Sequence, residues 1–139
     1  MSTPVLCDFL PPPRTGNVVL LMHEVRHALD RLVRTGEATT IDLSTLPMTA
    51  PEHAELDTAL GSGEVSAMLD ASGPSEVRET AFPGVWRVTH RSEEGLTLGR
   101  YIEIVPIPEI LLAQPRDIAA GLARLSHQLT PSPEQEVTS

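Results

Sequence analysis

The chain has 139 residues, 19 acidic and ten basic, for a net charge of -9, which argues against nucleic acid or an anionic membrane as the main partner, since both would be repelled. That length buries a core without disulfide or metal staples. The single cysteine, Cys7, excludes an internal disulfide and any thiolate cluster for iron-sulfur or structural zinc.

The opening MSTPVLCDFLPPPRTG carries a Pro triplet that disfavours helix, so residues 1–16 are expected to form an extended arm. They contain no basic stretch followed by an apolar one, and nowhere does the chain reach the roughly 18 consecutive apolar residues of a membrane span. An unexported protein in a reduced, cytoplasmic setting is therefore expected.

From Asn17, the expected N-cap, Val18, Leu21, Met22, Val25, Leu29, Leu32 and Val33 recur at helical spacing until Gly36. Next come a short strand centred on Ile41 and a helix with Pro51 in its first turn and Gly61 as its end. Strands follow at EVSAMLD, SEVRETA, VWRVTH and LTLGRYIEIVP, the last hairpin closing at Glu93, Glu94 and Gly95. The chain closes on a helix striped by Ile118, Leu122, Leu125 and Leu129. This order predicts an α+β fold: a mostly antiparallel sheet of four to five strands with helices packed on one face. The expected boundaries are an arm at 1–16, one domain at 17–129 and a disordered tail at 130–139.

Residues 23–27, HEVRH, match the zinc-protease signature, which sets two imidazoles at i and i+4 with a Glu between them. Their setting opposes that chemistry. On a helical wheel His23 and His27 project from the polar face, Arg26, Arg31 and Arg34 crowd the same arc, and no His or Glu follows at third-ligand spacing. The expected reading is a solvated face stitched by Arg26-Asp30 and Asp30-Arg34 pairs, with metal binding through His23 and His27 as the weaker alternative.

Three of the four aromatics, Phe82, Trp86 and Tyr101, fall on the central hairpins, where they serve either as core or as binding anchors. His90 lies near Glu93 and Glu94 but has no nucleophile to serve. Glu64, Glu76, Glu79 and Glu103 are expected to be solvated sheet positions.

Several elements occur in a telling order: Leu60-Gly61 with Gly63-Glu64-Val65-Ser66, then Glu76 to Thr80, then Phe82-Pro83-Gly84-Val85-Trp86, then Ile102-Glu103 running into Pro106-Ile107-Pro108-Glu109-Ile110. Over residues 17–129 the sequence resembles the conserved C-terminal region of the HupH/HyaF family of hydrogenase expression proteins. Family members are commonly longer, so the chain is expected to be a short or single-domain version. The resemblance implies a non-catalytic accessory role in maturing nickel-iron hydrogenase, with no cofactor: binding of a hydrogenase subunit precursor, together with other maturation proteins, for small-subunit processing or metal-centre assembly. The expected partner-binding residues are Glu64, Val65, Ser66, Phe82, Pro83, Gly84, Trp86, Arg87 and Tyr101. The acidity points to a basic segment of the precursor, such as an Arg-rich start, and the sheet face left without helices suggests a homodimer. The rival reading is a metal carrier or zinc hydrolase built on His23, Glu24 and His27.

Overall fold

A computed structural model describes residues 16–70 and 73–131. The expected arm therefore lies outside the described residues except for Gly16, and the tail does so beyond Pro131. The chain forms two compact units, one up to Pro106 and one from Ile107.

In the first unit, helix α1 (Asn17–Thr35) starts one residue earlier than expected. Gly16, at φ 81, is its N-cap, and Asn17 is already helical. Its buried stripe is Val18, Leu21, Val25 and Ala28, with Met22, Leu29 and Leu32 partly buried. Val33 is 83% exposed because it lies about 90° from the centre of that stripe at 100° per residue. The helix ends at Gly36, whose N–H donates to the Leu32 carbonyl.

Strand β1 (Thr39–Asp42) and a 3-10 turn at Leu43–Thr45 lead to helix α2 (Ala50–Leu60). A reciprocal cap starts α2: the Glu52 N–H donates to Thr49 Oγ1 at 3.3 Å, and the Thr49 N–H donates to Glu52 Oε1 at 3.2 Å. The helix buries only one side of each turn, through Glu52, Leu56 and Leu60.

Strands β2 (Ser66–Asp70), β3 (Pro74–Glu79), β4 (Val85–Arg91) and β5 (Thr97–Ile104) form an antiparallel meander, and β1 adds to its far edge to give the order β1-β5-β4-β3-β2. The sheet is thus α+β in class and has five strands. Its register places Ile41 beside Ile102 and Val85 beside Ile104. These four residues join Leu21, Val25, Leu43, Leu56 and Leu60 in the core that α1 and α2 close over one sheet face. Successive residues of a strand point to opposite faces, so the other face carries Val77, Trp86 and Val88, all buried.

The second unit holds a 3-10 turn at Glu109–Leu111 and helix α3 (Pro115–Leu129), which has Pro at its first position. The expected stripe of Ile118, Leu122, Leu125 and Leu129 lies along this helix and is solvent-exposed.

Candidate functional site

His23, Glu24 and His27 are exposed on α1. Of the two expected ion pairs, Asp30-Arg34 forms, at 2.9 Å. The expected Arg26-Asp30 pair does not form: Arg26 has no ion pair among the described residues, and nearby Arg31 donates to Thr39 Oγ1 at 3.0 Å. Among those residues, no third His, Cys, Asp or Glu gathers with the histidine pair into a metal-holding group.

The residues expected to bind a partner divide among three places. Glu64, Val65 and Ser66 are exposed at the entry to β2, and Phe82, Pro83 and Gly84 form the turn before β4. Folding brings the two stretches together. The Gly63 and Glu64 N–H groups donate to the Glu79 carbonyl at 2.8 Å and to Glu79 Oε1 at 3.1 Å, while Glu79 N–H donates to the Val65 carbonyl. Gly63 has to be glycine here, since a Cβ would sit 2.6 Å from the Thr80 carbonyl oxygen. Buried Thr80 braces the turn: its hydroxyl donates to the Val85 carbonyl at 2.8 Å and accepts from the Phe82 N–H at 3.1 Å. A shallow cavity of about 510 Å³ opens between Glu64 and Pro83.

Trp86 is 5% exposed, and its indole N–H donates to the Val105 carbonyl at 3.0 Å. It is a core side chain and not a surface anchor. Tyr101, half-buried on the same face, meets His90 edge to face with ring centroids 5.7 Å apart. His90 Nδ1 lies 2.8 Å from Ser75 Oγ, so this imidazole engages Ser75 and Tyr101, not the Glu93-Glu94 turn. Arg87 points to the opposite face, so the expected partner-binding residues Trp86, Arg87 and Tyr101 do not share one surface.

That opposite face holds a feature the sequence reading missed. The register sets Arg78 beside Arg87 and sets Thr89 between Glu76 and Arg100. These side chains, with Arg91, form the floor of a cavity of about 500 Å³, and Ala50, His53, Ala54 and Asp57 of α2 form its wall. Four of the chain's ten arginines therefore converge in one groove of a protein carrying -9. Like charges directly across a strand pair are destabilising, and two ion pairs offset the cost: Arg87-Asp57 at 2.8 Å and Arg78-Glu76 at 3.3 Å. Two guanidinium charges of the groove have no carboxylate partner among the described residues. Arg91 and Arg100 have no ion pair among the described residues, and Arg87 Nε is buried with no hydrogen-bond partner.

Burial, followed by the positive charge of Arg100, holds the His53 imidazole below its ordinary pKa of 6.5. Asp57 and Glu52 pull the other way, and Arg87 adds to the depression. The unfolded chain therefore binds this proton more readily than the folded one. Stability is full above pH 6.5 and falls as the pH drops from there through the folded pKa. Thermal midpoints between pH 7.5 and 5.5 are expected to decline less steeply in His53→Gln than in the parent; equal slopes would count against this assignment.

Residues 15–131 match the family model for the HupH hydrogenase expression protein, C-terminal conserved region. The chain belongs to the HupH hydrogenase expression protein family. It is 35% identical over 121 residues to the hydrogenase expression/formation protein HupH of Rhodobacter capsulatus, covering 85% of this chain and 44% of that protein. It is 37% identical over 124 residues to the hydrogenase-1 operon protein HyaF of Escherichia coli, covering 86% and 42%. With HoxQ of Cupriavidus necator it shares 30% identity over 89 residues, 64% of this chain and 32% of that protein. The chain thus spans less than half the length of these curated relatives. A solved structure, the hydrogenase expression protein HupH from Thiobacillus denitrificans, superimposes with a TM-score of 0.80 at 42% identity, covering 84% of this chain and 98% of that one.

The HupH-like motifs named from the sequence have identifiable work in the fold. Leu60 and Gly61 end α2, with Gly61 at φ 68 and Leu60 accepting from the Ala81 N–H. Gly63 to Val65 dock on Glu79, Thr80 braces the Phe82-Gly84 turn, and Trp86 ties β4 to the end of β5.

Proposed function

We propose that this chain acts in nickel-iron hydrogenase maturation as a non-catalytic assembly factor that binds a hydrogenase subunit precursor in the cytoplasm. The observation that carries this reading is family membership across nearly the whole described chain, with relatives whose names refer to hydrogenase expression or formation. The surface agrees with a binding role. The exposed Glu64-Ser66 stretch, exposed Phe82 and Pro83 and the arginine groove offer apolar, hydrogen-bonding and charged contacts, and no helix among the described residues is long and apolar enough to cross a membrane. The zinc-hydrolase alternative gains no third ligand from the described residues, and no observation favours it.

The test is affinity capture with the tagged full chain from a strain that makes a nickel-iron hydrogenase. The expected result is co-purification of a large- or small-subunit precursor, depleted when the mature subunit replaces it. Recovery of neither precursor, with the chain folded and abundant, would sink the reading.

A further inference from the structure

The arginine groove continues into a second cavity. Leu43, Ser44, Leu46, Thr97, Leu98 and Gly99 line a space of about 240 Å³ whose walls also include His53 and Arg100. The two cavities share those two side chains, so a cationic half and a more apolar half, where Leu43, Leu46 and Leu98 stand with Ser44 and Thr97, run side by side. Leu98, at 66% exposed, forms part of the apolar half.

We propose that this groove binds an extended peptide segment in which two carboxylate side chains lie beside one leucine-sized apolar side chain. Charge gives the first part of the argument. The cationic half carries four guanidinium groups against two carboxylates, so it is matched by two added negative charges. Arg91 and Arg100 have no ion pair among the described residues, and Arg87 Nε lacks an acceptor. A buried guanidinium nitrogen without an acceptor is costly, and a planar carboxylate satisfies the guanidinium fork in bidentate fashion. Size gives the second part. A cavity of about 500 Å³ is in the range that holds drug-sized or peptide ligands and greatly exceeds one tetrahedral oxyanion. The third part is the adjoining apolar space, which a free inorganic anion would leave empty. His53 stands at the junction, where a neutral imidazole offers one donor without adding a third charge.

This inference rests on the precursor-binding reading only for the origin of the segment. The probes are a fluorescent hexapeptide Gly-Glu-Leu-Glu-Gly-Gly, its Gln-Leu-Gln counterpart, and inorganic phosphate and succinate as competitors. They are used with the full chain, the double variant Arg91→Gln/Arg100→Gln and Leu98→Ser. The replaced arginines form no ion pair among the described residues and Leu98 is exposed, so all variants are expected to fold, as checked by melting curves. Anisotropy should show the Glu peptide binding at least tenfold more tightly than the Gln peptide. The double variant should lose at least tenfold, and Leu98→Ser several-fold for the peptide but nothing for phosphate. Equal binding of the two peptides overturns the proposal. So does phosphate or succinate binding as tightly as the peptide with no effect of Leu98→Ser, which would make this a small-anion site. If the double variant no longer binds the peptide but still captures the hydrogenase precursor, the groove is not the precursor site, and the maturation reading survives without it.

Discussion

Replacing Trp86 with alanine should lower the thermal midpoint by roughly 10–15 °C. The indole is 5% exposed, and truncating a buried Trp to Ala costs about 3–5 kcal/mol through lost transfer energy and the cavity left behind. At roughly 3 °C per kcal/mol for a chain of this size, the midpoint shifts by that amount. The Val105 carbonyl also loses its donor. Trp86→Phe separates the two contributions: it keeps an aromatic ring between Glu79 and Glu103, its cross-strand neighbours, and loses the hydrogen bond, for about 1–2 kcal/mol. Because Trp86 lies in the interior, the Phe variant should capture a hydrogenase precursor as well as the parent does at a temperature where both are folded. A folded Phe variant that fails to capture it would overturn a purely structural role for Trp86.

The misplacement of Trp86 shows where reading the sequence alone gives out. Helical spacing in α1 and α3, the Pro51 and Gly61 signals of α2 and period-two alternation in the strands are local, and they located the three described α-helices and the five strands, though not the two 3-10 turns. The helix start was off by one because Gly16 at φ 81 takes the cap position that Asn17 would ordinarily fill. Whether an aromatic on a strand is buried depends on which face is covered, and no local pattern states that. Trp86 and Arg87 are adjacent in sequence, so on a strand they must face opposite ways; grouping them with Tyr101 contradicted the alternation itself. The arginine groove was harder to foresee. Arg78, Arg87 and Arg100 belong to three strands and become neighbours only through the hairpin register. Parity along β3 and β4 would have set Glu76, Arg78, Arg87, Thr89 and Arg91 on one face, and that was the available signal. Net charge is silent on where charge sits. Here four of the ten arginines meet in one groove of an acidic protein. The family motifs were legible because they are contiguous, and their roles were not, since Gly63 matters through Thr80 and Leu60 through Ala81.

Leu56→Ala should destabilise the fold by about 2–5 kcal/mol and weaken the groove together with it. Leu56 is fully buried, and with Glu52 and Leu60 it is all that α2 buries; the helix has no broad apolar face to share the loss. Removing the middle of those three side chains leaves a void directly beneath the turn that carries His53 and Asp57. Asp57 is the partner that neutralises Arg87, so any tilt of α2 exposes the Arg78-Arg87 cross-strand repulsion. Chemical denaturation should therefore show a lower midpoint with an unchanged slope. Acidic-peptide binding, measured well below the melting temperature, should fall several-fold although no groove residue has been altered. Leu21→Ala provides the contrast: a buried leucine of the same core, but carried by α1 and not by α2. It should cost a similar amount of stability and leave the groove's affinity closer to that of the parent. If the two variants lose affinity equally, positioning by α2 is not what shapes the groove, and the loss reflects general loosening of the sheet.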